Sequence, residues 1–466
     1  MPGLKGQPGE ATGRVTGESF RVVGGPLGEG RRSRYNAGVD SPDPGALSPR
    51  AVRLLAEADL CVKCGLCLPR CPTYALSREE GESPRGRIAL GQGLASGALP
   101  VTARLAEHLG SCLSCRACEA ACPAGVPYGR IIEAARGILT EQRPPGMAAR
   151  WALRVAARAP VDRPNWWRAA MAALRAYSLS TVRPSFERVL ERVWPRLARL
   201  ARYVPRLEPG PAWKPYYPPV GESRGEVALF LGCVAREVDR PTLEASVRVL
   251  NRLGLGVHVP AGQGCCGAMH LHGGDEREAL RLAKRNLRAF SGTAGPVVVA
   301  ASGCAAALLE YGRLAQGEAE VVDEAREFTR RVAEVTDLMT RLEWPAEVTV
   351  APLPLRVAVH EPCSLRNVLR RAEAPYRLLA RIPGLEALPL PGNDRCCGAA
   401  GTHMVTRPEA ADSLRGEKLD ALGRVSADVV VTANVGCALH LAAGVTGRGG
   451  PTEVLHPVVL LDRQLR

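Results

Sequence analysis

No stretch of this 466-residue chain approaches the roughly 20 apolar residues that a helix needs to cross a bilayer. The first 30 residues also lack the short apolar core of a secretory signal, so the expected compartment is the cytoplasm. Nor is any strand pattern followed by G-x-G-x-x-G; the glycines from Gly24 to Gly30 stand outside any βαβ context. Without that phosphate-cradling turn there is no evident flavin or nicotinamide site, and oxidation of a substrate is expected on another polypeptide. Regular patterning is missing from residues 1–50 as well. Eleven Gly and six Pro make up a third of that head, which reads as disordered and free of chemistry.

What is present supports a folded protein of several domains, since 46% hydrophobic residues can fill real cores. Sixteen cysteines in a chain of this length without a signal point to metal binding or redox chemistry rather than disulfides. The net charge of +14 is concentrated: from Arg136 to Arg206 there are fifteen arginines and four acids. That basic stretch belongs to a bridge, residues 141–224, carrying Trp151, Trp166, Trp167, Trp194 and Trp213 among proline-broken helices. Such a bridge can meet a partner protein, an anionic membrane surface or nucleic acid, or pack its tryptophans on its own domains with arginines in water. A subunit or peripheral membrane contact accounts for the charge, and no nucleic-acid partner is expected.

Residues 51–140 read as a helical module around two C-x2-C-x2-C-x3-C-P runs. Ser48-Pro49, Ser83-Pro84 and Thr102 are its expected helix starts. The runs are Cys61, Cys64, Cys67 and Cys71, then Cys112, Cys115, Cys118 and Cys122, each with a trailing proline. Two-residue spacers let three thiolates wrap three corners of one [4Fe-4S] cube, while the fourth, carried off by a longer spacer, usually ligates the other cube. The expected sets are therefore Cys61, Cys64, Cys67 and Cys122 for one cluster, and Cys112, Cys115, Cys118 and Cys71 for the second. A pair of zinc sites is the alternative, because four thiolates also suit zinc. Between the runs, Pro84-Arg85-Gly86-Arg87 either places positive charge near a cluster, raising its potential, or is a helix start with solvated arginines.

From residue 225 the chain repeats itself, giving two domains, 225–345 and 346–466. The first copy runs from an apolar strand to Cys233, the pair Cys265-Cys266 before Gly267, and Cys304; the second has Cys363, Cys396-Cys397 before Gly398, and Cys437. The offsets are 130, 131 and 133 residues. Strands alternating with helices predict parallel-sheet α/β domains with each cysteine loop past a strand's carboxyl end, where such sheets hold their ligands. Adjacent cysteines, with Cα atoms about 3.8 Å apart, make poor disulfides. All eight are thus candidate redox or metal ligands for a further cluster or ion. His270, His272, His403 and His440 lie near them and read as ligands, proton donors or filler.

In this order the motifs closely resemble the iron-sulfur subunit of glycolate oxidase (glycolate dehydrogenase), over residues 50–460. The likeness rests on Cys61-Val-Lys-Cys64-Gly-Leu-Cys67, Ser83-Pro-Arg-Gly-Arg-Ile88, Cys112-Leu-Ser-Cys115-Arg-Ala-Cys118, Cys265-Cys266-Gly267 and Cys396-Cys397-Gly398-Ala-Ala-Gly401. It implies a complex in which FAD-containing subunits oxidise glycolate and electrons pass through this chain to a quinone or membrane acceptor, with no substrate catalysis on the chain itself. It also implies a location in the cytoplasm or peripheral to the membrane's cytoplasmic face. The paired-cysteine "CCG" domain is shared with D-lactate and anaerobic glycerol-3-phosphate dehydrogenase subunits and with heterodisulfide reductases, a thiol-disulfide class. In the last, a further cysteine follows the final one by three residues; here Ala307 and His440 stand at those places.

Overall fold

The computed structural model describes residues 47–142 and 164–466, with residues 154, 155, 158 and 162 between them. The head expected over residues 1–50 lies outside the described residues except for its last four, as does Trp151 of the bridge.

The helical module begins where its caps predict. Ser48 accepts from the Ala51 amide and starts Pro49–Ala58; Ser83 accepts from Gly86 and starts Pro84–Ala95; Thr102 accepts from Leu105 and starts Ala103–Gly110. Each hydroxyl satisfies one of the amides that a helix start leaves unpaired, worth about 1 kcal/mol. With Tyr128–Gln142 these helices enclose Leu54, Ile88, Leu94, Leu109, Ile131 and Ile132, all buried. Gly86 has a specific reason to be glycine: a Cβ there would stand 1.9 Å from the Glu80 carbonyl oxygen.

The two repeats form two sheets, as the alternating pattern predicts. In the first, strands β1 (Tyr216–Tyr217), β2 (Gly225–Phe230), β3 (Leu255–His258), β4 (Val297–Val299) and β5 (Val332–Glu334) lie in the order β1-β3-β2-β4-β5. All pairs are parallel except the β1–β3 edge. The second has β6 (Arg356–His360), β7 (Glu386–Pro389), β8 (Val429–Thr432) and β9 (Glu453–Leu455) in the order β7-β6-β8-β9, parallel throughout. The central strands are apolar on both faces; Val297, Val298 and Val299 are buried together because helices cover the sheet on either side. Burying each valine side chain contributes about 1.5–3 kcal/mol.

The copies face each other. One hydrophobic core runs from Val227, Leu229 and Leu250 of the first to Val359, Leu378 and Leu461 of the second. At the strand ends the Ser302 amide donates to Ala433 O (3.0 Å), and the Ser302 and Ser364 hydroxyls meet at 2.8 Å. Parallel strands put all their carboxyl ends on one edge, so apposing the copies there brings their cysteine loops to a common region.

Part of the bridge packs on the first repeat, as one of the expected alternatives has it, but with arginines in ion pairs as well as tryptophans. Trp167 donates to Glu237 at 3.0 Å, and Trp213 lies under the Arg240 guanidinium at 4.8 Å. Arg154 and Arg158 pair with Asp275 and Glu278 of the first repeat. Over Arg183–Val193 and Pro195–Ala201, however, Phe186, Val189, Val193, Trp194 and Leu197 remain exposed.

Candidate metal centre

Both cysteine runs adopt the same local backbone. The residue before the second cysteine is left-handed in each, Lys63 (φ 56°) and Ser114 (φ 50°), and so is the residue after it, Gly65 (φ 86°) and Arg116 (φ 56°). Three of these four are not glycine, so each run stores strain of about 1–3 kcal/mol per such residue to curl its thiols toward one point. Curling alone does not close a four-thiol site. Tertiary packing does: Cys71 from the first run lines a cavity together with Cys112, Cys115 and Cys118 from the second. Its other walls include Thr73, Arg87 and Tyr128. Cys61, Cys67 and Cys122 pack with Cys112 against the helical core, while Cys64 is exposed. None of the sixteen cysteines is in a disulfide. Four thiols converging on one cavity from two chain segments fit a [4Fe-4S] cluster, whose ligands are thiolates.

The polar surroundings of that cavity favour negative charge. Arg87, fully buried, donates to His108 O at 2.7 Å, Thr73 Oγ1 at 2.9 Å and Ser111 Oγ at 2.7 Å, and pairs with Glu82. Its Nη1 lies 4.0 Å from Cys71 Sγ. Arg136 holds the second run by Leu109 O (2.9 Å), Cys112 O and Ser114 Oγ (3.0 Å), and Tyr128 donates to Cys112 Sγ at 3.5 Å. Burial pushes the Cys112 thiol up, but Arg87, Arg136 and the Tyr128 hydrogen bond outweigh it and its pKa is lowered. Cys115 and Cys118, away from those donors, are raised by burial. Of the expected alternatives for Pro84 to Arg87, both hold in part. The segment starts a helix, and Arg87 is inside beside a cysteine rather than in water.

Within each repeat, cysteines from different loops come close together. In the first copy Cys233 and Cys265 lie 3.4 Å apart; in the second, Cys363 and Cys396 are at 3.9 Å, and Cys397 and Cys437 at 3.3 Å. Gly398 shows why glycine follows the pair: its φ is +92°, and a Cβ would stand 2.7 Å from Ala411 O. The second copy sits against the helical module. Leu113, Cys115 and Ala117 form one cluster with Cys396 and Leu414, and Cys363 is packed alongside. The first copy joins the module differently, through Arg136 to His272 O at 2.8 Å and His272 to Glu133 at 2.9 Å.

Comparison with known proteins agrees with this layout. A 4Fe-4S dicluster domain family matches residues 57–126, and a cysteine-rich domain family matches residues 227–309 and 357–442. The chain is 32% identical over 410 residues to a "Probable glycolate oxidase iron-sulfur subunit" of Bacillus subtilis (strain 168), covering 86% of this chain and 92% of that protein. It is 33% identical to the "Glycolate oxidase iron-sulfur subunit" of Escherichia coli (strain K12), covering 87% and 93%. The chain belongs to the glycolate oxidase iron-sulfur subunit family. Over 51% of its length it is also 31% identical to "Lactate utilization protein A" of Geobacillus thermodenitrificans (strain NG80-2).

In this glycolate oxidase iron-sulfur subunit homologue the histidines singled out by sequence divide. His272 is an inter-domain contact. His270, His403 and His440 are buried, and burial lowers the pKa of the last two to about 4, so they are neutral. His440 Nε2 donates to Ala411 O, 3.1 Å away. Sequence reasoning passed over Tyr128, Asn367 and Asn434, which touch cysteines from positions without any spacing signal. It also passed over His360, for which a signal existed: it precedes Cys363 by three residues, where the first copy has Phe230 before Cys233.

Proposed function

We propose that this chain is the electron-carrying subunit of a glycolate-oxidising complex, glycolate to glyoxylate, taking electrons from an FAD-containing subunit and delivering them to a quinone-type acceptor. The observation that carries this reading is the cavity shared by Cys71 with Cys112, Cys115 and Cys118, set against Cys363 and Cys396 of the second repeat. Cys61, Cys64, Cys67 and Cys122 would hold one [4Fe-4S] cluster, and Cys112, Cys115, Cys118 and Cys71 the other. Bound there, such clusters supply one-electron redox chemistry. The protein's part is positional and electrostatic. Arg136 fixes the second run's backbone, Tyr128 donates to Cys112, and Arg87 supplies a positive charge that is itself buried, where it acts more strongly than in solvent. The domain boundaries 51–140, 141–224, 225–345 and 346–466 describe the same division of labour.

Peripheral attachment to a membrane is supported by the bridge. Phe186, Val189, Val193, Trp194 and Leu197 are exposed along Arg183–Val193 and Pro195–Ala201, among arginines, a pattern suited to the interface of an anionic bilayer. No helix among the described residues is long and apolar enough to cross a membrane.

Affinity purification from the native host followed by assay tests the reading. A flavoprotein should co-purify, and the complex should reduce a quinone analogue with glycolate in preference to D-lactate or glycerol 3-phosphate. Preference for D-lactate would favour the second reading, a lactate-oxidising complex, which the likeness to lactate utilisation proteins supports. Turnover of a disulfide by this chain alone would place it with thiol-disulfide reductases.

A further inference from the structure

We propose that the second repeat holds one thiophilic divalent ion of the zinc class on Cys397, Cys437 and His360, a site separate from the eight cysteines of the two runs and absent from the first repeat. The inference does not depend on the electron-carrying reading.

A ring nitrogen of His360 and the sulfurs of Cys397 and Cys437 all lie within 4.8 Å of one another, and all three residues are buried. The two sulfurs are 3.3 Å apart. Around a tetrahedral zinc with sulfurs at about 2.3 Å, two thiolates are separated by about 3.8 Å, so the pair need open by only about half an ångström. His360 is 1% exposed. Its Nδ1 meets Thr432 Oγ1 at 2.9 Å, whereas Nε2 has no hydrogen-bond partner among the described residues. An orphaned polar atom at that depth costs about 1–3 kcal/mol, and buried polar groups are rarely left so. One ring nitrogen held by a hydrogen bond with the other left free is how ligating imidazoles are oriented.

The first repeat supplies an internal comparison. In the β6–β8 register His360 pairs with Thr432; in the corresponding β2–β4 register Phe230 pairs with Val299. The sulfurs Cys266 and Cys304 remain there, but ligand and orienting hydroxyl are both replaced by apolar groups, and Phe230 and Val299 are buried. Nitrogen donor and its hydrogen-bond partner thus occur together or not at all. Two thiolates and a neutral imidazole are a donor set that zinc prefers, with one position left for a further ligand. The ion would pin the end of β6, the Cys396-Cys397 loop and the start of Val435–Gly447 to one another.

The test uses the full chain, purified anaerobically with its iron and sulfide reconstituted and then titrated with zinc alone. His360→Phe, which copies the first repeat, should bind one zinc fewer per chain than wild type with iron and sulfide unchanged, and His360→Cys should keep that zinc. Zinc X-ray absorption of the wild type should show imidazole beside sulfur. Unchanged zinc in a folded His360→Phe, or a wild-type zinc shell of sulfur alone, overturns the proposal; the second outcome decides even if the variant does not fold. Iron content and the EPR signal of the reduced protein, read on the same samples, report separately on the electron-carrying function.

Discussion

The side-chain amide of Asn367 donates to the main-chain carbonyl of Cys115 at 2.9 Å, joining the second repeat to the second cysteine run across 252 residues of sequence. Beside it Cys363, Cys396 and Cys115 share one small hydrophobic cluster. Asn367→Ala should cost about 1 kcal/mol at this contact. Hydrogen exchange of the amides in residues 112–118 and 364–369 should quicken while the iron content holds. Unaltered protection in both segments would show that the contact does not tie the domains together.

Arg87 is the group on which the cavity's charge depends. Arg87→Met takes the guanidinium from the half-buried Glu82, which keeps its contacts to His108 and Ser111, a loss of about 1–3 kcal/mol. It should also make the reduction potential of the adjoining site more negative, as removal of a positive charge stabilises the oxidised form. Arg87→Lys keeps the charge but not the planar fork, so it should lose stability while holding most of the potential. EPR-monitored redox titration beside thermal unfolding separates the two effects; equal potentials in wild type and Arg87→Met would rule out the electrostatic role.

Because Cys71 lines the cavity of the second run, its replacement should damage the cluster of the other run. Cys71→Ser should impair the cluster on Cys112, Cys115 and Cys118, and Cys122→Ser the cluster on Cys61, Cys64 and Cys67. Pairing each with a change in one run (Cys64→Ser or Cys115→Ser) locates the loss: Cys71→Ser adds little iron loss to Cys115→Ser and much to Cys64→Ser. The reverse pattern would mean that each run serves its own cluster.

His456 couples the two repeats to pH. Its Nε2 meets Ala300 O of the first copy at 3.0 Å, and its Nδ1 accepts from Val458 N–H at 3.1 Å, so the ring is needed neutral. Burial lowers its pKa from 6.5 to about 3. The unfolded chain therefore binds a proton that the folded chain refuses. Stability is fullest above pH 6.5 and falls with acid until the folded ring protonates near 3, by about 1 kcal/mol at pH 5.5. Thermal unfolding across pH 5–7 should show a shallower slope for His456→Gln than for wild type. Parallel slopes would deny His456 this role.

Sequence alone was enough for whatever is written locally. Ser48, Ser83 and Thr102 cap helices because a hydroxyl beside a helix start needs no distant partner. The alternation of strands with helices carried the parallel sheets, and the two-residue spacers carried the wrapping of three thiols in each run, though not the left-handed residues Lys63 and Ser114 that achieve it. Only the tertiary structure decided which loops meet. Beyond the crossing of Cys71 to the second run, which the spacing had predicted, it buried Arg87 beside that site, turned the two repeats face to face through Ser302 and Ala433, and set His360 beside Cys397 and Cys437. The reason is physical: a cap or a two-residue spacer is settled by backbone geometry over a few residues, whereas these meetings depend on which apolar faces bury each other, and that is a property of the packed whole.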